Sequence, residues 1–223
     1  MKFSAITSLF LVCTLNLGAF EGLKNQQEFD KAYEYYSKGK FKEAHDIWEG
    51  LCKNGDGQSC TNLGFIFDNN DLGYKKDEKK AIGLYEEACN LKDRLGCKNL
   101  AISQYKQGKA GKEDLAKALE NFKKACEFGD GYSCTNAGFQ YENSEGVMQS
   151  LGKAYEYYEK GCNLQNGMGC ANIGSMYANG FSVKRDFKKA LEYFKKGCEL
   201  GDKQGCKYEK DISKDDFLKN HVK

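Results

Sequence analysis

The chain has 223 residues, 34 Lys plus Arg against 32 Asp plus Glu, a formal charge of +2, and no proline. Duplex nucleic acid is bound largely by neutralising phosphates with a clustered basic excess, so this interspersed, nearly balanced charge argues against a nucleic-acid partner. The two histidines, His45 and His221, cannot furnish the usual catalytic-metal ligand sets, and neither a metal nor a cofactor is expected.

Residues 1–19, MKFSAITSLFLVCTLNLGA, place Lys2 before an apolar run from Ile6 to Leu17, followed by Gly18 and Ala19. This is the layout of a secretory signal peptide, too short for a comfortable membrane span, with cleavage expected after Ala19. A lipid-anchored reading would need a small residue before Cys13, where Val12 stands. No later stretch is apolar enough to hold the mature chain in a bilayer, so no stable membrane anchor is expected. Removal of the leader takes Cys13 with it and leaves ten cysteines in an oxidising compartment, periplasmic or outside the cell, where disulfides persist.

From about Asn25 to Leu51 the sequence predicts two helices joined by a brief turn at Gly39, with Phe29, Ala32, Tyr33 and Tyr36 on one face. Beyond that the chain repeats. CKNGDGQSC opens at Cys52, and its counterparts begin at Cys89, Cys126, Cys162 and Cys198, separated by 37, 37, 36 and 36 residues. Such a period means stacked supersecondary units.

Eight positions before each first cysteine stands Ala44, Ala81, Ala118, Ala154 or Ala190; four before it stands Trp48, Tyr85, Phe122, Tyr158 or Phe194. Both spacings put alanine, aromatic and cysteine on one helix face, where alanine admits a neighbouring helix and the aromatic supplies buried area. Four positions after each first cysteine comes Asp56, Asp93, Asp130, Asn166 or Asp202, suited to cap a helix start. Gly55, Gly129 and Gly201, each just before, are suited to the left-handed conformation that ends the preceding helix.

The first cysteine thus falls in the last turn of one helix and the second in the first turn of the next. Five bridges are expected to staple consecutive antiparallel helices: Cys52–Cys60, Cys89–Cys97, Cys126–Cys134, Cys162–Cys170 and Cys198–Cys206. The second helix then carries Leu63 and Gly64, Leu100 and Ala101, Ala137 and Gly138, or Ile173 and Gly174. Seven residues after the second cysteine stand Phe67, Tyr141 and Tyr177. The remaining unit has Gln104 there, with Tyr105 expected to substitute from the next position. Polar, glycine-containing loops separate the helices, and a short charged helix after Cys206, to about Leu218, is expected to cap the stack.

Glycine, a polar stretch, a KA-x-x-x-aromatic helix and a G-D turn resemble the SEL-one-like repeat (SLR), a relative of the tetratricopeptide repeat (TPR). The spaced cysteine pairs narrow this to a resemblance to the secreted cysteine-rich Hcp proteins of bacteria, over about Asn25 to Tyr208. The resemblance implies an all-α fold, an α/α solenoid in which disulfide-bridged hairpins wind into a right-handed superhelix. Its parts would be a TPR-like hairpin over 20–60, four SLR repeats over 61–206, and a capping helix and tail over 207–223. It further implies penicillin binding with weak β-lactamase activity.

Serine β-lactamases place the nucleophile in S-x-x-K, accompanied by S-D-N and K-T-G motifs. Ser37 with Lys40, Ser103 with Lys106, and Ser150 with Lys153 have the first spacing, none has the companions, and Lys153 belongs to a repeat column with Lys80, Lys117 and Lys189. No catalytic residue is assigned. Two positions after the second cysteines stand Asn62, Asn99, Asn136 and Asn172. In solenoids of this type the first helix of each unit lines the concave surface, so these amides are candidate ligand-binding residues. A carboxamide matches the donor and acceptor of an extended peptide backbone, though each also has the option of satisfying a backbone group in its own repeat. Two functions follow as expectations: a scaffold binding peptide or protein segments, including peptidoglycan precursors, or a groove that admits β-lactams and opens their ring.

Overall fold

The computed structural model describes residues 23–69, 73–108 and 111–212. The expected signal segment, Cys13, Leu218 and His221 lie outside them. Every regular element among the described residues is an α-helix, and none is long and apolar enough to cross a membrane.

The chain divides into two compact units, one running to Leu91 and the other starting at Lys92. The first holds α1 (23–37), α2 (Phe41–Lys53), α3 (Gly57–Asp68) and α4 (Glu78–Asn90). The second holds α5 (Arg94–Gly108), α6 (Lys112–Glu127), α7 (Gly131–Asn143), α8 (Leu151–Asn163), α9 (Gly167–Asn179), α10 (Phe187–Glu199) and α11 (Lys203–Ile212). In the second unit each helix packs on the next, and α7 meets α9 as α9 meets α11, which is the stacking of an α/α solenoid.

The predicted face forms the core in both units. Ala44, Ala81, Ala118, Ala154 and Ala190 are buried, and so are Trp48, Tyr85, Phe122, Tyr158 and Phe194. Each such aromatic contributes about 1.5–3 kcal/mol on burial. Glycine on the facing helix makes room for it: a Cβ on Gly64 would lie 2.5 Å from the Tyr85 ring, and one on Gly174 2.8 Å from the Phe194 ring. In unit one Phe29, Ala32 and Tyr36 pack around Trp48 and Ala44. Tyr33 does not join them; at the edge of that stripe it is 59 % exposed.

The turns follow from their residues. Asp56, Asp93, Asp130, Asn166 and Asp202 accept hydrogen bonds from the amides of Ser59, Gly96, Ser133, Gly169 and Gly205, three residues on, at 2.6, 2.7, 2.7, 3.1 and 2.6 Å. Four bridges close across these turns, Cys52–Cys60, Cys126–Cys134, Cys162–Cys170 and Cys198–Cys206, with Cα–Cα distances of 4.8, 4.7, 4.6 and 4.4 Å. Cys89 and Cys97, the remaining expected pair, stand on either side of the boundary between the units.

Gly55, Gly129 and Gly201 have φ of 88°, 88° and 86°, and the same turn position is filled by Lys92 and Gln165 at 64° and 62°. A side chain there is strained where glycine is not. Replacing Gln165 by glycine should therefore raise stability by about 0.5–1 kcal/mol, visible as a higher urea midpoint with an unchanged slope.

Residues 60/61 and 206/207 fall inside α3 and α11, because each of these helices begins just after its capping aspartate, three residues before the second cysteine. The last described helix thus contains Cys206 and does not follow it.

Candidate peptide-binding surface

The four asparagines occupy one register on α3, α5, α7 and α9, and all four are partly exposed. Asn136 donates through Nδ2 to the Tyr132 carbonyl one turn back at 2.8 Å. That bond uses one of its two N–H donors and fixes the amide, leaving the second N–H and the Oδ1 acceptor for a ligand.

What surrounds the column was not read from the sequence. Four positions before the asparagines of unit two stand Leu95, Tyr132 and Met168, exposed by 38, 42 and 36 %. Three positions after them stand Ile102, Phe139 and Ser175, of which Phe139 is 41 % exposed. Spacings of three and four keep these side chains on the asparagine face. Each of α5, α7 and α9 therefore presents an amide between two neighbours that are mostly apolar. In unit one α3 carries the same pattern with Gln58, Asn62 and Phe65. A second asparagine row follows seven positions on, where Asn69, Asn143 and Asn179 donate to the carbonyls of Phe65, Phe139 and Ser175 at 2.7, 2.9 and 2.8 Å. Its signal was available in the repeat register, broken by Lys106 in the irregular unit.

The lysine column acquires a different role. Lys80 lies over the Phe67 ring at 3.8 Å from its centroid, Lys153 over Tyr141 at 5.1 Å and Lys189 over Tyr177 at 5.2 Å. Cation–π contacts of this kind contribute about 0.5–1 kcal/mol each at exposed sites. Tyr141 and Tyr177 are in turn stacked on Tyr157 and Tyr193, with centroids 5.7 Å apart in both pairs. In the irregular unit no aromatic stands at the matching position: Gln104 accepts from Asn121 at 2.8 Å, and Lys117 pairs with Glu113 at 2.9 Å. Tyr105 packs against Phe122 at 6.3 Å and donates to Glu145 at 2.7 Å. Burial and the Glu145 carboxylate together push its phenol up to about 12.

The three S-x-x-K pairs are engaged otherwise. Ser150 is the N-cap of α8, accepting from the Lys153 amide, while the Lys153 ammonium lies over Tyr141. Ser37 donates to the Glu34 carbonyl and Lys40 lies over Tyr35. Ser103 is buried and Lys106 exposed. Among the described residues no hydrogen bond joins any of these serines to the ammonium of its lysine.

Cys52, Cys60 and Glu87 bring sulfur and carboxylate atoms within 4.8 Å of one another, but both sulfurs are in a bridge and offer no thiolate to a metal. His45 instead stacks on Tyr74 at 4.8 Å.

Comparison with known proteins places these features in context. The Sel1 repeat matches the chain at residues 12–39, 57–93, 95–130, 131–166 and 167–202. Among curated proteins none matches. A Sel1 repeat protein from Oxalobacter formigenes has a similar structure, with a TM-score of 0.72 and 23 % identity, over 82 % of this chain and 74 % of that one. So has c5321, a protective antigen of uropathogenic Escherichia coli with an SLR fold, at a TM-score of 0.75 and 20 % identity, over 85 % of this chain and 41 % of that one. Cysteine rich protein B of Helicobacter pylori is 34 % identical over 63 % of this chain and 99 % of that one, with a TM-score of 0.48.

Proposed function

Because the chain belongs to the Sel1 repeat family, as a cysteine-rich member, we propose that it is a peptide-binding scaffold whose asparagine stripe holds an extended segment of a partner protein or of a cell-wall peptide. One observation carries this reading: on three successive alternate helices of unit two, a partly exposed amide stands between partly or fully exposed, mostly apolar side chains in one register. An extended peptide offers a backbone N–H and C=O to the amides and alternate side chains to the apolar rows. The bridged turns favour such binding by holding the helices in place beforehand, which lowers the ordering cost of association. The same bridges require an oxidising compartment, so we assign the protein to the periplasm or the exterior, after removal of residues 1–19.

A β-lactam resembles a peptide and would enter the same groove. Ring opening also needs an activated nucleophile, and the candidate serines are occupied as helix cap, exposed turn donor or buried residue. We therefore assign capture without turnover. Incubation of oxidised protein with a chromogenic cephalosporin is expected to give no colour beyond that of the buffer; turnover that co-purifies and is abolished by one defined substitution would establish the enzyme instead.

Peptides selected from a random displayed library on the oxidised protein supply the binding test. Asn136→Ala is expected to weaken their affinity about tenfold, the effect of one to two lost hydrogen bonds, with the far-ultraviolet spectrum unchanged. Unaltered affinity in both Asn136→Ala and Asn99→Ala would refute the assignment.

A further inference from the structure

Binding along the stripe leaves unused a cavity of about 480 Å³ where α9, α10 and α11 meet. Its size lies in the range of pockets that take small organic groups. Phe194, 2 % exposed, is its floor, the Tyr208 ring stands 5.0 Å from that of Phe194, and Phe187 completes an aromatic wall. Ser175, Asn179 and Arg185 supply its polar groups.

Two facts of register join this cavity to the stripe. Ser175 and Asn179 follow Asn172 by three and seven residues on α9, which keeps them on the asparagine face. Tyr208 stands two residues after Cys206, the place that Asn62, Asn99, Asn136 and Asn172 take after the other second cysteines. The amide column therefore ends, after its last asparagine, on a tyrosine that lines the cavity.

The cation at this end faces a ring and no carboxylate: the Arg185 guanidinium lies over Phe187, 6.0 Å from its centroid. Arg185 lies thirteen residues before Cys198; at the same place before Cys89, Lys76 pairs with Asp68 at 3.9 Å, and before Cys162, Gln149 donates to the Glu142 carbonyl at 2.8 Å. Among the described residues Arg185 has no carboxylate partner. Its neighbour Asp186 is taken up in capping α10, accepting from the amides of Lys188 and Lys189 at 3.0 and 3.1 Å. A guanidinium presents parallel donors that match a carboxylate, and aromatic walls favour an apolar side chain beside it.

We infer that this cavity seats the C-terminal residue of the bound peptide, its α-carboxylate on Arg185 and its apolar side chain against Phe187, Phe194 and Tyr208. The inference rests on the peptide-binding reading for the remainder of the ligand, but the seat itself is testable with a ligand too short to span the asparagines. N-acetyl-Leu-Phe, as free acid and as its amide, is titrated into the ¹⁵N-labelled, oxidised full chain. The free acid should shift the backbone amides of Ser175, Asn179 and Arg185 and bind at least tenfold more tightly than the amide. Arg185→Ala should abolish that preference and Arg185→Lys retain part of it. Equal response to acid and amide overturns the inference, as does an absence of shifts at these three residues, the result if another part of the chain fills the cavity. If that occurs while library-selected peptides still depend on Asn99 and Asn136, only the carboxylate seat falls; loss of that dependence removes the stripe reading itself.

Discussion

Reduction of the oxidised protein is expected to unfold the second unit at urea concentrations that the bridged form withstands. Cys126–Cys134, Cys162–Cys170 and Cys198–Cys206 each close a loop of nine residues, counted from a sequence separation of 8. In the chain-entropy account each such closure stabilises by about 2.5 kcal/mol through the unfolded state, and the three together by about 7.5 kcal/mol. A whole domain is stable by only about 5–15 kcal/mol, so their loss removes much or all of the margin. Urea titrations followed by circular dichroism, with and without a dithiol reductant, check this. A midpoint that stays in place on full reduction would mean that helix packing alone holds the array. Each single pair, replaced as in Cys126→Ser with Cys134→Ser, should show about a third of the total effect.

Glycine at the helix contacts makes the second large prediction. A Cβ on Gly138 would lie 2.7 Å from the Tyr158 ring and 3.1 Å from the Ala154 carbonyl oxygen. Tyr158 is fully buried and donates to Glu142 at 2.5 Å, so the ring has little room to withdraw. Gly138→Val should cost about 3 kcal/mol or more, from overpacking that neither helix can relieve without separating. Gly152 is the counterpart: on the exposed face of α8, its added Cβ would meet only the Ser182 hydroxyl, at 3.8 Å. Gly152→Ala should stabilise by about 0.5–1 kcal/mol, the ordinary gain of alanine over glycine inside a helix. Thermal unfolding of the two variants beside the parent tests both signs at once. A neutral Gly138→Val would contradict the contact that the repeat is built on.

The features legible in the sequence are those set by neighbours along the chain. Asp130 caps α7 because a carboxylate before a helix start meets a free amide three residues on, and Gly129 precedes it because that turn needs a positive φ. Ala154, Tyr158 and Cys162 share a face because helical periodicity puts them there. Lys153 was legible only as a member of a column. Its place over Tyr141 depends on which helix lies opposite, a fact that spacing within one helix does not carry. The same holds for Tyr132 and Phe139: they look like ordinary apolar residues of a buried helix until stacking covers one face of α7 and leaves the other open. Gln104 announced an irregular unit, but its bond to Asn121 and the turn of Tyr105 toward Glu145 required the neighbouring helix and loop to be in place. The asparagine register was readable, whereas the exposure of its apolar flanks was not.

The proposed capture of a ligand on the asparagine face of α5, α7 and α9 is tested most directly by mapping where a peptide binds. A library-selected peptide titrated into the ¹⁵N-labelled, oxidised protein locates its own footprint. Binding should move the backbone and carboxamide signals of Asn99, Asn136 and Asn172 together with those of Tyr132, Phe139 and Met168, and leave the exposed residues of α6 and α8 where they were. A footprint confined to those other helices, with the three carboxamides unmoved, would contradict the account.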